Sequence, residues 1–358
     1  MASGAEHAML NPIGFNKVVC LTNSDTIVGV PFRIQGSMRD LVAETPAEVQ
    51  GEPDLAEVQL ESITLEPGAL DTHYLKFDGG TRDGRWYDIT ANSATSVTID
   101  LNGDTLDGVG EGDAFVITEY WTLDTLFPPD QATNGWEEHP ENAGEWIPNG
   151  HAIMASEGSL AFQRKTLLML TDGFGEGINR SATKLLYILD NQWRRIGSAA
   201  EDFGNTVLYP DAAFTIRHPS TVSHPTIFRS WGEVDTSSQV VPLHTSDLGQ
   251  RDAFVALPRP VDLTLSDLNL WESGAFMESA GSLAFQRRDL LFMYDNGLQS
   301  INKSADRIFY HDGSSWREVG EGEANMDDAE LSAGSGFIIR KYEVEGGETF
   351  LWNNTTSY

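Results

Sequence analysis

Asp100, Asn102, Asp104 and Glu111 stand at the first, third, fifth and twelfth places of one short window. Oxygen donors at that spacing can wrap a hard divalent cation. The sixth place, where such a loop needs glycine, is Thr105, and the flanks read as strands rather than helices. Asn102-Gly103 is also a hairpin signal in its own right. An acidic turn is expected over Asp100–Glu111, with cation binding left open. Gly173-Phe174-Gly175-Glu176-Gly177 follows the apolar run Leu167–Leu170 and imitates a phosphate-binding loop. Phosphate binding would need those glycines to open a helix, and no strand–helix alternation surrounds them. A hairpin turn is expected there instead.

The other reactive side chains form no constellation. The eight histidines are dispersed, none in HExxH or at zinc spacing, and no GxSxG or Walker loop occurs. Cys20 is the single cysteine and sits in the apolar run Val18-Val19-Cys20-Leu21, so a buried thiol is expected. Carboxylate pairs are too frequent to mark a glycosidase dyad. No catalytic residue, cofactor-binding residue or metal ligand is therefore expected, and the chain reads as a non-enzyme. Trp136 and Trp146 lie in the polar stretch Asn134–Gly150 and are expected in an exposed loop that contacts proteins or glycans.

The elements that would carry these residues are duplicated. Residues 158–218, beginning GSLAFQRKTLLML, return without a gap as residues 281–341, beginning GSLAFQRRDLLFM, each shifted by 123. Matched positions include Leu160/Leu283, Phe162/Phe285, Ile178/Ile301, Tyr187/Tyr310, Trp193/Trp316, Phe214/Phe337 and Ile216/Ile339, which read as core. Polar matches, Gln163/Gln286, Asn179/Asn302 and Ser181/Ser304, accompany them. The glycine-rich loop has no counterpart, because its twin reads Asn296-Gly297-Leu298-Gln299-Ser300.

Alternation such as Val97, Ile99 and Leu101 against Thr98 and Asp100, with turn pairs such as Asp107-Gly108 and Asp312-Gly313, predicts an all-β fold. Two sandwich- or barrel-like units are expected, with short helical turns allowed in the GSLAFQR segments and over 181–189. Thr26–Arg33 resembles Ala253–Pro260, and Trp121–Leu126 resembles Leu263–Leu268, with far more chain between them in the first copy. Residues 1–45 with 119–230 are thus assigned to the first unit, 46–118 to an inserted β module, and 239–343 to the second unit. Residues 219–240 are read as a link and 344–358 as a closing strand.

Acidic residues outnumber basic ones 54 to 23, a formal charge of −31, which argues against binding nucleic-acid backbones. Hydrophobic content of 40% excludes a disordered chain, and no stretch is apolar for long enough to span a membrane as a helix. Met1–Leu10 lacks the basic and apolar regions of a classical signal peptide.

Gly84-Arg85-Trp86-Tyr87-Asp88-Ile89-Thr90-Ala91-Asn92 and Gly112-Asp113-Ala114-Phe115 resemble an uncharacterised family of exported bacterial proteins. Leu208–Asp211, Pro260–Leu265 and Leu331–Phe337 extend that resemblance. It implies a β-rich, duplicated protein of the cell surface or exterior, and no active site. Members of that family begin with a signal peptide. A family-type body without one suggests a chain made in the cytoplasm and released by lysis, as virion parts are. The expectation is a structural, homo-oligomeric subunit of a bacteriophage virion, a capsid decoration protein or a fibre or spike subunit. An exported glycan-binding adhesin is the alternative, and a glycan-active enzyme the third.

Overall fold

Asp190 and Asn191 adopt left-handed backbone, φ 54° and 57°, and fold the strand Lys184–Leu189 back onto Gln192–Arg195. This hairpin belongs to a five-stranded antiparallel sheet in the computed structural model, which describes residues 12–131, 136–138, 146–148, 151–173 and 175–355. The order is Gln192–Arg195, Lys184–Leu189, Leu167–Leu170, Phe214–His218 and β2 (Ser24–Val28). A second five-stranded sheet runs Trp316–Glu318, Arg307–His311, Leu290–Met293, Gly336–Lys341 and Arg251–Ala256, in the same order. The chain is all-β, as its alternation and turn spacing predict.

Each unit closes with a shorter ribbon. In the first, β1 (Ile13–Cys20) pairs with Thr226–Val234, which also pairs with β3 (Phe32–Arg33). In the second, Gln239–His244 pairs with Thr349–Asn354. Residues 226–234 are therefore a nine-residue strand and not a link. Burial alternates along it, with Thr226, Phe228, Ser230 and Gly232 buried, while Ile227 and Trp231 take the other face, so residue type does not show the alternation. Residues 184–189 are likewise strand, whereas Ala161–Gln163 and Ala284–Gln286 are the helical turns.

One core gathers Trp193, Phe214, Ile216 and Phe228, and another Trp316, Phe337, Ile339 and Trp352. Buried indoles need a partner for their N–H. Trp193 donates to the Phe127 carbonyl at 3.2 Å and Trp352 to that of Leu268 at 2.6 Å.

The third core, with Leu75, Phe77, Val97, Ile99 and Phe115, belongs to a seven-stranded sheet spanning Met38 to Glu119. Its first edge strand, Met38–Leu41, runs on to meet the end of Glu52–Gln59 near the other edge: Val42 bridges Leu60, Ala43 N donates to Gln59 O at 3.0 Å and Glu61 N to Leu41 O at 3.1 Å. The sheet thus curls back on itself as a small barrel.

The barrel docks through a buried charge cluster. Lys76 Nζ meets the Asp235 carboxylate, Ser237 Oγ at 2.8 Å and Ser238 O at 2.8 Å, while Arg33 lies 3.4 Å from Asp235. Burial alone would raise Asp235, but the Lys76 and Arg33 charges outweigh it and bring the carboxyl down to about 2. Gly84 is required at this contact: its φ is +80°, and a Cβ would sit 2.9 Å from the Ser238 carbonyl.

Candidate functional site

The repeated GSLAFQR segments form the same structure twice. Gln163 N donates to Leu160 O at 2.9 Å and Glu157 N to Gln163 O at 3.0 Å; Gln286 N donates to Leu283 O at 2.8 Å and Ala280 N to Gln286 O at 3.0 Å. Ser156 Oγ accepts from Lys165 N, and Ser279 Oγ from Arg288 N, both at 3.1 Å. The Gln163 and Gln286 side chains fill the space beside Gly158 and Gly281, where a Cβ would lie 2.3 and 2.5 Å from their Oε1 atoms.

Backbone and polar atoms thus hold each turn, and the apolar side chains point away from it. Leu160 is 56% exposed, Phe162 72%, Leu283 55% and Phe285 82%. This corrects the reading of these matched positions as core; Ile178, at 42%, is exposed as well. Residue type alone does not place a side chain inside, and a turn satisfied by its own hydrogen bonds has no need of apolar packing. Trp193 and Trp316 are core, as expected.

The two units grip each other reciprocally. Asp25 on β2 accepts from Arg217 Nε and Nη2, both at 2.6 Å, and from Asn302 N of the other unit at 2.7 Å. Asp252 accepts from Arg340 Nε at 2.7 Å and Nη2 at 2.9 Å, and from Asn179 N of the first unit at 2.6 Å. Asn179 and Asn302, matched in the repeat, both adopt left-handed backbone, φ 52° and 54°, which Asn tolerates. Asp25 N donates to Ser300 O and Asp252 N to Gly177 O, so the glycine-rich loop is a hairpin connection that locks the units together.

Two further twin positions differ in chemistry. Thr166 and His218 hydrogen-bond at 3.1 Å in the first unit, and their counterparts Asp289 and Lys341 form a buried ion pair in the second. His218 is fully buried, and burial brings its pKa down to about 4. The folded imidazole stays neutral where the unfolded one takes a proton. Its stabilisation is therefore present above about pH 6.5 and lost as the pH falls towards about 4, roughly 3 kcal/mol in all. Urea unfolding at pH 7 and pH 4 should show a His218→Gln variant with that much less acid sensitivity. An equal stability difference from wild type at both pH values would contradict it.

The acidic turn does not gather its oxygens. Asn102 and Gly103, φ 49° and 79°, form a tight turn in which Asp104 N donates to Leu101 O at 2.9 Å. It is not the expected hairpin, because Ser96–Asp100 pairs with Glu52–Gln59 and Trp86–Asn92 rather than with the strand that follows. Asp100 Oδ1 accepts Asn102 N at 2.9 Å. Asp104 is held by Arg85, by Tyr87 Oη at 2.7 Å and by Arg82 at 3.5 Å. Among the described residues no group of three His, Cys, Asp or Glu side chains is placed to hold a metal ion. Cys20 is fully buried and its thiol is pushed up to about 11 by burial. It should resist thiol reagents at pH 8 in the folded chain and react fully in guanidinium, and rapid labelling of the folded chain would contradict that burial. Trp136–Glu138 pairs with Trp146–Pro148, Trp136 opposite Pro148 and Trp146 opposite Glu138; their side chains, with His7 and His139, lie outside the described residues.

Sequence reasoning did not find the aromatic cluster where the barrel meets the first unit. Trp86 stacks on Tyr209 at 5.7 Å, Tyr74 and Tyr120 lie 4.7 Å apart, and Tyr120 Oη donates to Asp88 at 2.5 Å. Burial raises Asp88, and burial together with the Asp88 charge pushes Asp211 up to about 6. The adjoining cavity, about 30 Å³, has space for one or two waters and none for a sugar ring. Among the described residues no helix is long and apolar enough to cross a membrane. No protein-family model matches the chain, nor does any curated protein or solved structure.

Proposed function

We propose that the chain is a non-enzymatic structural subunit of an extracellular assembly, and that this assembly is a bacteriophage virion. It serves there as a decoration protein or as a fibre or spike subunit. The observation that carries this reading is the pair of Leu–Phe turns, identical in sequence, held alike and turned outward in both units. Exposed apolar groups on rigid turns suit insertion into a partner's pockets, and two copies give two anchors in one chain. The charge of −31 keeps finished particles apart in solution. The resemblance to exported, duplicated β-rich proteins points the same way.

The test is a Phe162→Ser, Phe285→Ser double variant supplied in place of the wild-type chain. Its stability should change by less than about 1 kcal/mol, because both side chains are exposed. Its occupancy on particles should fall at least about tenfold, the effect of losing about 1.4 kcal/mol of contact. Undiminished occupancy contradicts the role of the turns. Retention on glycan columns that depends on Trp136 and Trp146 would favour the adhesin.

A further inference from the structure

β1 carries an unused edge. Pro12 O accepts from Val234 N at 2.8 Å, which places Pro12–Val234 as a hydrogen-bonded pair in the register that matches Ile13 to Glu233. Hydrogen-bonded pairs alternate along an antiparallel ladder. Gly14, Asn16, Val18 and Cys20 therefore spend their backbone groups on Thr226–Val234. Ile13, Phe15, Lys17 and Val19 turn theirs to the opposite edge. Among the described residues no backbone group pairs with that edge, and Lys17 N is met only by the neighbouring Asn16 Oδ1, at 2.8 Å.

The side chains of the same four residues face outward. Ile13 is 64% exposed, Phe15 60% and Val19 50%, and Trp231, opposite Phe15, is 54% exposed. A long, apolar, unprotected edge is a template for another strand. The second unit supplies an internal control. Gln239–His244 holds the corresponding place, before Arg251–Ala256, and its edge is closed: Val240 N donates to Gly84 O of the barrel at 3.1 Å, and Pro242 has no N–H to offer.

We infer that β1 is a homodimer interface, in which two copies pair their β1 strands antiparallel about a two-fold axis at Asn16. The register follows from self-complementarity. Centred on Asn16, it sets Phe15 opposite the second copy's Lys17 and Ile13 opposite its Val19, and engages the edge N–H and C=O groups of these four residues, with Lys17 N exchanging Asn16 Oδ1 for the second copy. Centred on Lys17 it would set like charges face to face, and centred on Phe15 it would leave Val19 unpaired. Charge favours the same occupant. The ribbon of residues 13–20 and 226–234 carries Lys17 and Arg229 against Glu233, in a chain of net charge −31. Two such chains repel least through this face. A two-fold pairing also closes on itself and does not propagate into fibres.

This pairing deepens the structural-subunit reading by naming the contact between copies. Sedimentation velocity of the full chain at about 50 μM tests it, a concentration at which micromolar pairing is nearly complete. The expected result is a species of twice the chain mass. Lys17→Pro, which deletes an edge N–H that the ladder to 226–234 does not use, should return it to single-chain mass. Phe15→Lys, which opposes like charges in this register, should do the same even if the proline variant fails to fold. In a Cys20→Ser background, the thiols introduced by Asn16→Cys should cross-link two chains under mild oxidation. A single-chain mass for the wild type, or a dimer that survives Phe15→Lys, overturns the inference. A single-chain mass with normal occupancy on particles overturns this pairing alone and leaves the proposed function standing.

Discussion

Asp252→Ala is expected to destabilise the chain by about 3–5 kcal/mol, the cost of removing one partner from a buried ion pair. The Asp252 side chain is fully buried and receives both Arg340 nitrogens in a two-pronged contact. Deleting the carboxylate leaves Arg340, only 13% exposed, without its counter-charge and strips Asn179 N of its acceptor. Asn179 belongs to the other unit, so the loss falls on the contact between units as well as on the sheet. Asp25→Ala should act in the same direction through Arg217 and Asn302. Urea unfolding gives the magnitude. Hydrogen exchange should show faster opening at Asn179 in the first variant and at Asn302 in the second. A loss below about 1 kcal/mol, or exchange unchanged across the contact, would mean that the reciprocal aspartates do not hold the units together.

Asp289→Ala should cost a similar amount, about 3–5 kcal/mol. Lys341 and Asp289 are fully buried side chains in ion-pair contact, and Lys341 also donates to Ala275 O at 2.5 Å. Burial pushes Asp289 up and Lys341 down, so each stays charged only through its partner and the surrounding hydrogen bonds. Met277 N and Tyr342 N, at 2.8 and 2.7 Å, lose their acceptor as well. The repeat supplies the compensating change. The first unit fills the same positions with Thr166 and His218, a neutral hydrogen-bonded pair. Asp289→Thr combined with Lys341→His should therefore recover most of the loss, to within about 2 kcal/mol of wild type, since a buried ion pair is replaceable by a well-fitted neutral one. A double variant as unstable as Asp289→Ala would show that the two units do not share this packing.

The all-β class was legible because its signals are local: period-two alternation, turn pairs such as Asn102-Gly103, and matched tryptophans. The Leu–Phe turns were legible as a repeat and misread as core, because sequence gives the type of Phe162 but not the backbone bonds that turn it outward. The grip between units left a partial trace. Asn179 and Asn302 stand out as matched polar residues, and extending the match of Thr26 with Ala253 by one residue sets Asp25 against Asp252. Their partners lie too far along the chain for spacing to join them. The strand at 226–234 is not legible in the reading of 219–240 as a link, because its residue types do not alternate: Ile227 adjoins Phe228 and Arg229 adjoins Ser230. The open edge of β1 required hydrogen-bond parity, which only the register of two strands supplies.

Mass spectrometry across a density gradient of culture supernatant, scored against DNA-containing particles, tests the structural-subunit reading most directly. The account predicts peptides of this chain peaking with the particles at a fixed ratio to their other proteins. Peptides confined to free protein or to cell-envelope fractions would contradict it.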